Sequence, residues 1–261
     1  MQERSTTLLS QQQVQLYQTH GYLSGLRIAE EEEAARFRES FDHLEEQEGR
    51  EKARIGLLDY HFEHPFLMEI ATHPKILDCM ASLLGPNLLL LATHFFCKYG
   101  QDEKFVAWHQ DAAYWGLIPP CTATAWYAVD DSDEENGCMR VIAGSHRDGL
   151  REHGKAVQAG NLLSVNQEVT VTKDEDQHVV LLPLKAGEIS IHDGALIHGS
   201  LSNRSSRRRC GLTLRYIPTS VQADHDTPKG SSWRPILVCG EDREQHFGTI
   251  PTAVDILSNQ F

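Results

Sequence analysis

The chain has 261 residues, with 24 Lys and Arg against 37 Asp and Glu, giving a formal net charge of −13. Hydrophobic residues make up 40 % and charged residues 23 %, the balance of a folded globular protein with enough chain for one large domain, not of a disordered one. So acidic a surface repels a phosphate backbone, and no apolar run approaches the roughly 20 residues of a membrane-spanning helix, so neither nucleic acid nor a bilayer is an expected partner.

Residues 11–19 read as a helix, with Ser10 as candidate N-cap and Gly21 as its stop. Residues 29–47 form a longer one, and its opening run Glu30 to Glu33 suits the positive end of the helix dipole. Residues 65–84 carry apolar side chains at helical spacing but are interrupted by Pro74, which predicts two short helices ended by Gly85-Pro86. From residue 88 the pattern changes to strands: 88–99, 105–109, 122–129, 137–143, 179–184, 188–192 and 210–217. Many short strands with Gly, Pro and Asn turns predict an antiparallel sandwich or barrel. The layout is mainly β with N-terminal helices: a single domain over 1–261, with a helical layer at 1–86, a β core at 87–218 and a C-terminal extension at 219–261. The six cysteines are dispersed and form no C-x-x-C pair, which predicts reduced thiols in a cytoplasmic protein.

Fourteen histidines stand against six cysteines and four methionines, and histidine is the commonest metal ligand. Trp108-His109-Gln110-Asp111 ends a predicted strand. His109 and Asp111 are two residues apart, so in extended backbone both side chains leave the same face. The best candidate for a third donor is His198, in Gly194-Ala195-Leu196-Ile197-His198-Gly199-Ser200. Two imidazoles and a carboxylate on one side of a metal leave positions open for a co-substrate and O₂, the requirement of a non-haem Fe(II) oxygenase. An H-x-D pair by itself is common and is usually no ligand set. The strand after the His198 turn is expected to run back beside it and aim Arg209 into the same cavity. There a guanidinium could grip the far carboxylate of a dicarboxylate such as 2-oxoglutarate. Parity puts Arg209, Gly211, Thr213 and Arg215 on one face, against Arg208; Arg207 shares that parity but sits further back in the turn.

Taken in order, the motifs are H-Q-D-x-x-Y-W, T-A-W, an E-N-G-C turn, G-S-H, I-H-G-S-x-x-N-R-S and R-x-x-L-x-L-R-Y. Together, over residues 93–218, they resemble the phytanoyl-CoA dioxygenase-like family of Fe(II)/2-oxoglutarate oxygenases. The resemblance implies a double-stranded β-helix (a jelly-roll, cupin-like core), with His109, Asp111 and His198 binding iron and Arg209 binding 2-oxoglutarate. It also implies that Trp126 lines that pocket, although a core aromatic on a strand would look the same. His94 and Lys98 sit at matching positions and are expected to make polar contacts with 2-oxoglutarate or substrate. The chain has Ala143 where the family usually has proline before Gly144, a change that loosens a turn and leaves the chemistry alone. Relatives that halogenate replace the carboxylate ligand with a small residue; Asp111 is kept, which implies a hydroxylase.

For the substrate, Tyr114 and Trp115 are expected to form a wall, together with the loop around Tyr60 to Phe62. Arg215 faces either a substrate anion or a buried acid. No basic cluster near the N-terminus suits the nucleotide of a CoA thioester. This favours a small polar or anionic molecule, such as an amino acid, an organophosphonate or a natural-product intermediate, over an acyl-CoA. Two other readings stay open on the residues: a cupin-type metal enzyme that uses no keto acid, and a sensor that binds 2-oxoglutarate without turnover.

Overall fold

The computed structural model describes residues 9–163, 166–227 and 230–258, so the first eight and last three positions of the expected domain lie outside the described residues. The helices follow their local signals. Ser10 caps Gln11–His20 by accepting from the Gln13 N–H, and the Gln13 side chain closes the box in return. Glu31–Glu48 opens on three glutamates. Pro74 splits the next stretch, and each half, Pro65–Ala71 and Pro74–Leu84, starts on its proline. At a first helical position the missing N–H leaves no bond unmade. Among the described residues, no helix is long and apolar enough to cross a membrane.

Two antiparallel sheets carry the rest. The larger has six strands, in the spatial order Tyr22–Arg27, Glu188–Asp193, Ala123–Ala128, Arg209–Pro218, Leu88–Lys98, Ile236–Cys239. The smaller has four: Val106–His109, His198–Ser200, Met139–Ile142, Val179–Leu182. Spatial neighbours are distant in sequence, and the two sheets form a jelly-roll core.

Strand alternation divides the larger sheet between two environments. Phe95, Tyr127, Ile189, Leu212 and Leu214 point out, under the helices, into one core with Phe37, Phe41, Met68 and Ile76. The rings of Phe41 and Phe95 lie 4.6 Å apart. Trp126, His192, Arg209, Thr213 and Arg215 point in, toward the smaller sheet, and line one chamber with His109, Asp111 and His198.

Two strands depart from the expected layout. Tyr22–Arg27 lies within the expected helical layer but joins the larger sheet, pairing Leu23 with Ile191. Only Leu23 of its residues is buried, so it carries no alternating pattern. Ile236–Cys239, in the expected C-terminal extension, forms the opposite edge against Leu88–Leu90. It is four residues long, too short for periodicity to speak.

His61 gives this packing a pH signature. It is buried, with Nδ1 2.9 Å from Thr93 Oγ1, and burial pulls its pKa down from 6.5 to about 4. The unfolded chain takes up that proton near pH 6.5 while the folded chain still refuses it. Its stabilising contribution is therefore full above pH 6.5 and is lost as pH falls toward 4. Urea denaturation at pH 7 and pH 5 is expected to show a smaller acid-induced loss of stability in His61→Phe than in the wild type.

Candidate active site

The strand Val106–His109 ends at His109, and the chain then turns at once. Asp111 has φ −56° and ψ −47°, the helical conformation that starts Ala112–Trp115. The two side chains therefore do not converge through strand alternation, as expected from their spacing; the turn swings the carboxylate back toward the imidazole. His109 Nε2 lies 3.4 Å from Asp111 Oδ1. His198 opens the neighbouring strand, directly opposite His109 in register, and the two rings are 4.1 Å apart. Gly199 makes this approach possible, since a Cβ there would stand 2.7 Å from the carbonyl oxygen of Val106. The three donors lie within 4.8 Å of one another, and all three residues are buried.

Backbone carbonyls set the tautomers. His109 Nδ1 is 2.9 Å from the carbonyl of Ala107, and His198 Nδ1 is 3.0 Å from that of Leu196. A carbonyl only accepts, so each Nδ1 donates and each Nε2 keeps its lone pair. Burial and the neighbouring imidazoles push His198 well below its ordinary pKa, toward the neutral form. Burial alone would raise the Asp111 carboxyl, but polar contacts from His109 and His192 and the charge of Arg215 hold it well below the usual range. Two imidazoles held through Nδ1 and one carboxylate form a donor set that fits a divalent first-row metal. The two ligand-bearing turns are also stitched together. Gln110 Nε2 donates to the Ala195 carbonyl at 2.7 Å, and the Ala112 N–H donates to that of Gly194 at 2.8 Å.

One neighbour was not foreseen. His192 is buried, with Nε2 3.6 Å from Asp111 Oδ2 and its ring 4.3 Å from that of His198. Among the described residues, neither ring nitrogen has a partner within hydrogen-bond distance. Thr124 Oγ1 donates to the same oxygen at 3.4 Å. The signal was present in the strand: Ile189 and Ile191 face the helices, so His192 must face the chamber.

Arg209 enters the chamber from the larger sheet, facing the His198 strand instead of running beside it as expected. It is buried, donates from Nε to the Gly137 carbonyl at 3.0 Å and lies over the Trp126 ring at 5.4 Å. Gly211 leaves room for that ring, since a Cβ there would stand 1.9 Å from it. Lys98 pairs with Arg209 in register and is fully buried, its Nζ donating to Ser200 Oγ at 2.6 Å and to the Leu201 carbonyl. Among the described residues, neither cation has an ion pair within 4.0 Å. Burial pushes Arg209 down to about 10, and burial and the charge of Arg209 push Lys98 well below its ordinary value. The competing arginines are engaged elsewhere. Arg207 pairs with Asp133 and Glu135, and Arg208 with Asp42, Glu45 and Asp130.

His94 shares the face of Lys98 but not its place. Its Nε2 lies 2.5 Å from the Ile55 carbonyl, and it lines an outer cavity of about 280 Å³ that reaches His109 and Asp111. Phe96, Tyr114, Trp115, Arg215 and Trp233 also line it. The loop expected to supply Tyr60 to Phe62 supplies Ile55 and Leu58 instead. The phenolic ring of Tyr60 is stacked on His64, and His61 is turned to Thr93.

The profile of the phytanoyl-CoA dioxygenase (PhyH) family matches residues 17–211, three quarters of the chain and every residue of the donor cluster. The chain belongs to the PhyH family. That makes it a 2-oxoglutarate-dependent non-haem iron oxygenase. It is 30 % identical over 160 residues to the phytanoyl-CoA dioxygenase domain-containing protein 1 homolog of Dictyostelium discoideum, covering 60 % of this chain and 56 % of that protein. It is 24 % identical to the peroxisomal phytanoyl-CoA dioxygenase of Bos taurus, covering 82 % and 70 %. Among solved structures, the apo non-haem monooxygenase ThoJ superposes with a TM-score of 0.75 at 26 % identity, covering 95 % and 94 %. CytC3 with Fe(II) and α-ketoglutarate superposes at 0.69 and 26 % identity, covering 93 % of each chain.

The donor cluster can be probed without turnover. Co(II) titration followed by its visible absorption is expected to show one tight site in the wild type and none in Asp111→Ala. His192→Phe is expected to bind Co(II) about 10-fold more weakly, the usual cost of removing a group that orients a ligand. Equal affinity in His192→Phe and wild type would show that His192 does not steady Asp111.

Proposed function

We propose that this oxygenase hydroxylates an unactivated C–H bond of a small polar or anionic molecule, with release of succinate and CO₂. His109, Asp111 and His198 hold Fe(II), and Arg209 holds the far carboxylate of 2-oxoglutarate. The observation that carries the reading is the pair Lys98 and Arg209: two buried cations with no carboxylate partner among the described residues. Burying unpaired charge costs several kcal/mol per ion, by rough estimate, so such a pair is a site for an anion. Arg209 lines the same chamber as the donor cluster, on the wall of the larger sheet.

When bound, the iron and 2-oxoglutarate supply the activation of O₂. The chain's own residues do the rest. Arg209 offers a planar fork to the far carboxylate, and Trp126 lies under that fork. Lys98 supports the same end from the neighbouring strand. Tyr114, Trp115 and Arg215 shape the outer cavity, where His94 also lies, and hold the substrate beside the donor cluster. Asp111 keeps the carboxylate that a halogenating relative would lack, which supports hydroxylation. Relatives carry names that refer to phytanoyl-CoA. Arg215 is the one arginine or lysine among the described residues lining the outer cavity, and it sits beside Asp111. That is poor provision for the phosphates of a CoA thioester, and it favours a small substrate. The acidic balance and dispersed cysteines support a cytoplasmic protein that acts on small molecules and binds no nucleic acid.

Succinate release is expected to require both Fe(II) and 2-oxoglutarate and to vanish in Asp111→Ala. Arg209→Ala is expected to lower kcat/KM for 2-oxoglutarate by about 100-fold, the loss of two charge-assisted hydrogen bonds. Turnover that ignores 2-oxoglutarate, or is unchanged in Arg209→Ala, would favour a cupin-type enzyme that uses no keto acid.

A further inference from the structure

The outer cavity contains two buried polar groups that lack a side-chain hydrogen-bond partner among the described residues. Arg215 is 8 % exposed, and among the described residues it makes no hydrogen bond and no ion pair within 4.0 Å. Its guanidinium lies over the Trp115 ring at 5.2 Å. The Tyr114 hydroxyl is buried and likewise has no hydrogen-bond partner. A buried acid was the competing partner for Arg215; no such ion pair is present among the described residues. Trp115, Trp233, Phe96 and Leu58 supply the cavity's apolar lining, and the His94 imidazole there is engaged by the Ile55 carbonyl. Trp233 is fixed there, donating from Nε1 to the Trp115 carbonyl at 2.7 Å, with its ring set edge-on to that of Trp115 at 6.3 Å. Asp111 is the one carboxylate among the described lining residues, and the reading above commits it to the metal.

We infer that the substrate is a monoanion, with its acid group held by Arg215 and Tyr114 and an apolar, ring-bearing body lying against the Trp115–Trp233 pair. This rests on the oxygenase reading above, and it narrows the substrate class. A free amino acid fits poorly, because its ammonium would be desolvated with no counter-charge. A doubly charged phosphonate fits poorly too, because Arg215 is the one arginine or lysine among the described lining residues. The cavity, at about 280 Å³, falls below the roughly 300–1,000 Å³ of most small-molecule sites, which suits a compact body.

Binding can be read separately from turnover, by quenching of tryptophan fluorescence in the Co(II)-loaded protein with 2-oxoglutarate and without O₂. Three probes share one ring and differ in charge: 3-phenylpropionate, its amide and L-phenylalanine. The wild type is expected to bind the acid at least 10-fold more tightly than the amide or the amino acid. In Arg215→Gln the acid-to-amide ratio is expected to fall to about one, and in Arg215→Lys to be partly restored. The inference is overturned if the wild type binds acid and amide alike, prefers phenylalanine, or binds none of the three at 10 mM. It is also overturned if Arg215→Gln loses 2-oxoglutarate binding while keeping the acid preference, which would assign Arg215 to the co-substrate. The wild-type comparison stands even if both variants fail to fold. An acid preference without any 2-oxoglutarate-dependent succinate supports the binding inference and counts against the oxygenase reading.

Discussion

Charge buried without pairing is the constraint on which the rest of this structure depends. Lys98, Arg209 and Arg215 lie in or beside the interval between two sheets with no ion pair within 4.0 Å among the described residues. A protein stabilised only by its own contacts would replace such groups with apolar ones. Their retention fits a chamber completed by ligands that bring the missing charge.

The outer face of the same sheet offsets that cost. Each strand that turns a polar group inward turns an aromatic or aliphatic one outward, so Tyr127 follows Trp126, and Leu212 and Leu214 flank Thr213. The helices cover this face with Phe37, Phe41, Met68 and Ile76. Of the described N-terminal layer, Ile55 and Leu58 reach the outer cavity. The layer's task is to hold a sheet whose other side is, by itself, unfavourable to fold.

Where local chemistry decides the structure, the sequence is legible. The two prolines set two helices, Ser10 and Gln13 set a cap, and the inward face of residues 209–215 follows from period two alone. His109, Asp111 and His198 do cluster, but a turn and not strand alternation brings His109 and Asp111 together. Alternation cannot see that the strand stops at His109 and that Asp111 is helical. His192 was missed because a lone histidine reads alike whether it faces a core or a donor cluster. Trp233 was missed because only tertiary folding brings a residue from the C-terminal extension to a cavity near residue 111. The edge strand Tyr22–Arg27 buries one side chain, so it leaves no pattern to read.

The stitching of the two ligand-bearing turns bears on how the protein acquires its metal. In a zinc finger the ligands meet only when the ion arrives, and the ion's binding energy is spent on folding. Here Gln110 and Ala112 tie the Asp111 turn to the turn before His198 through protein groups alone, and carbonyls of Ala107 and Leu196 orient both imidazoles. The donors are therefore assembled before any ion binds. Protein hydrogen bonds alone hold the two turns and both rings in place, unlike the ligands of a zinc finger.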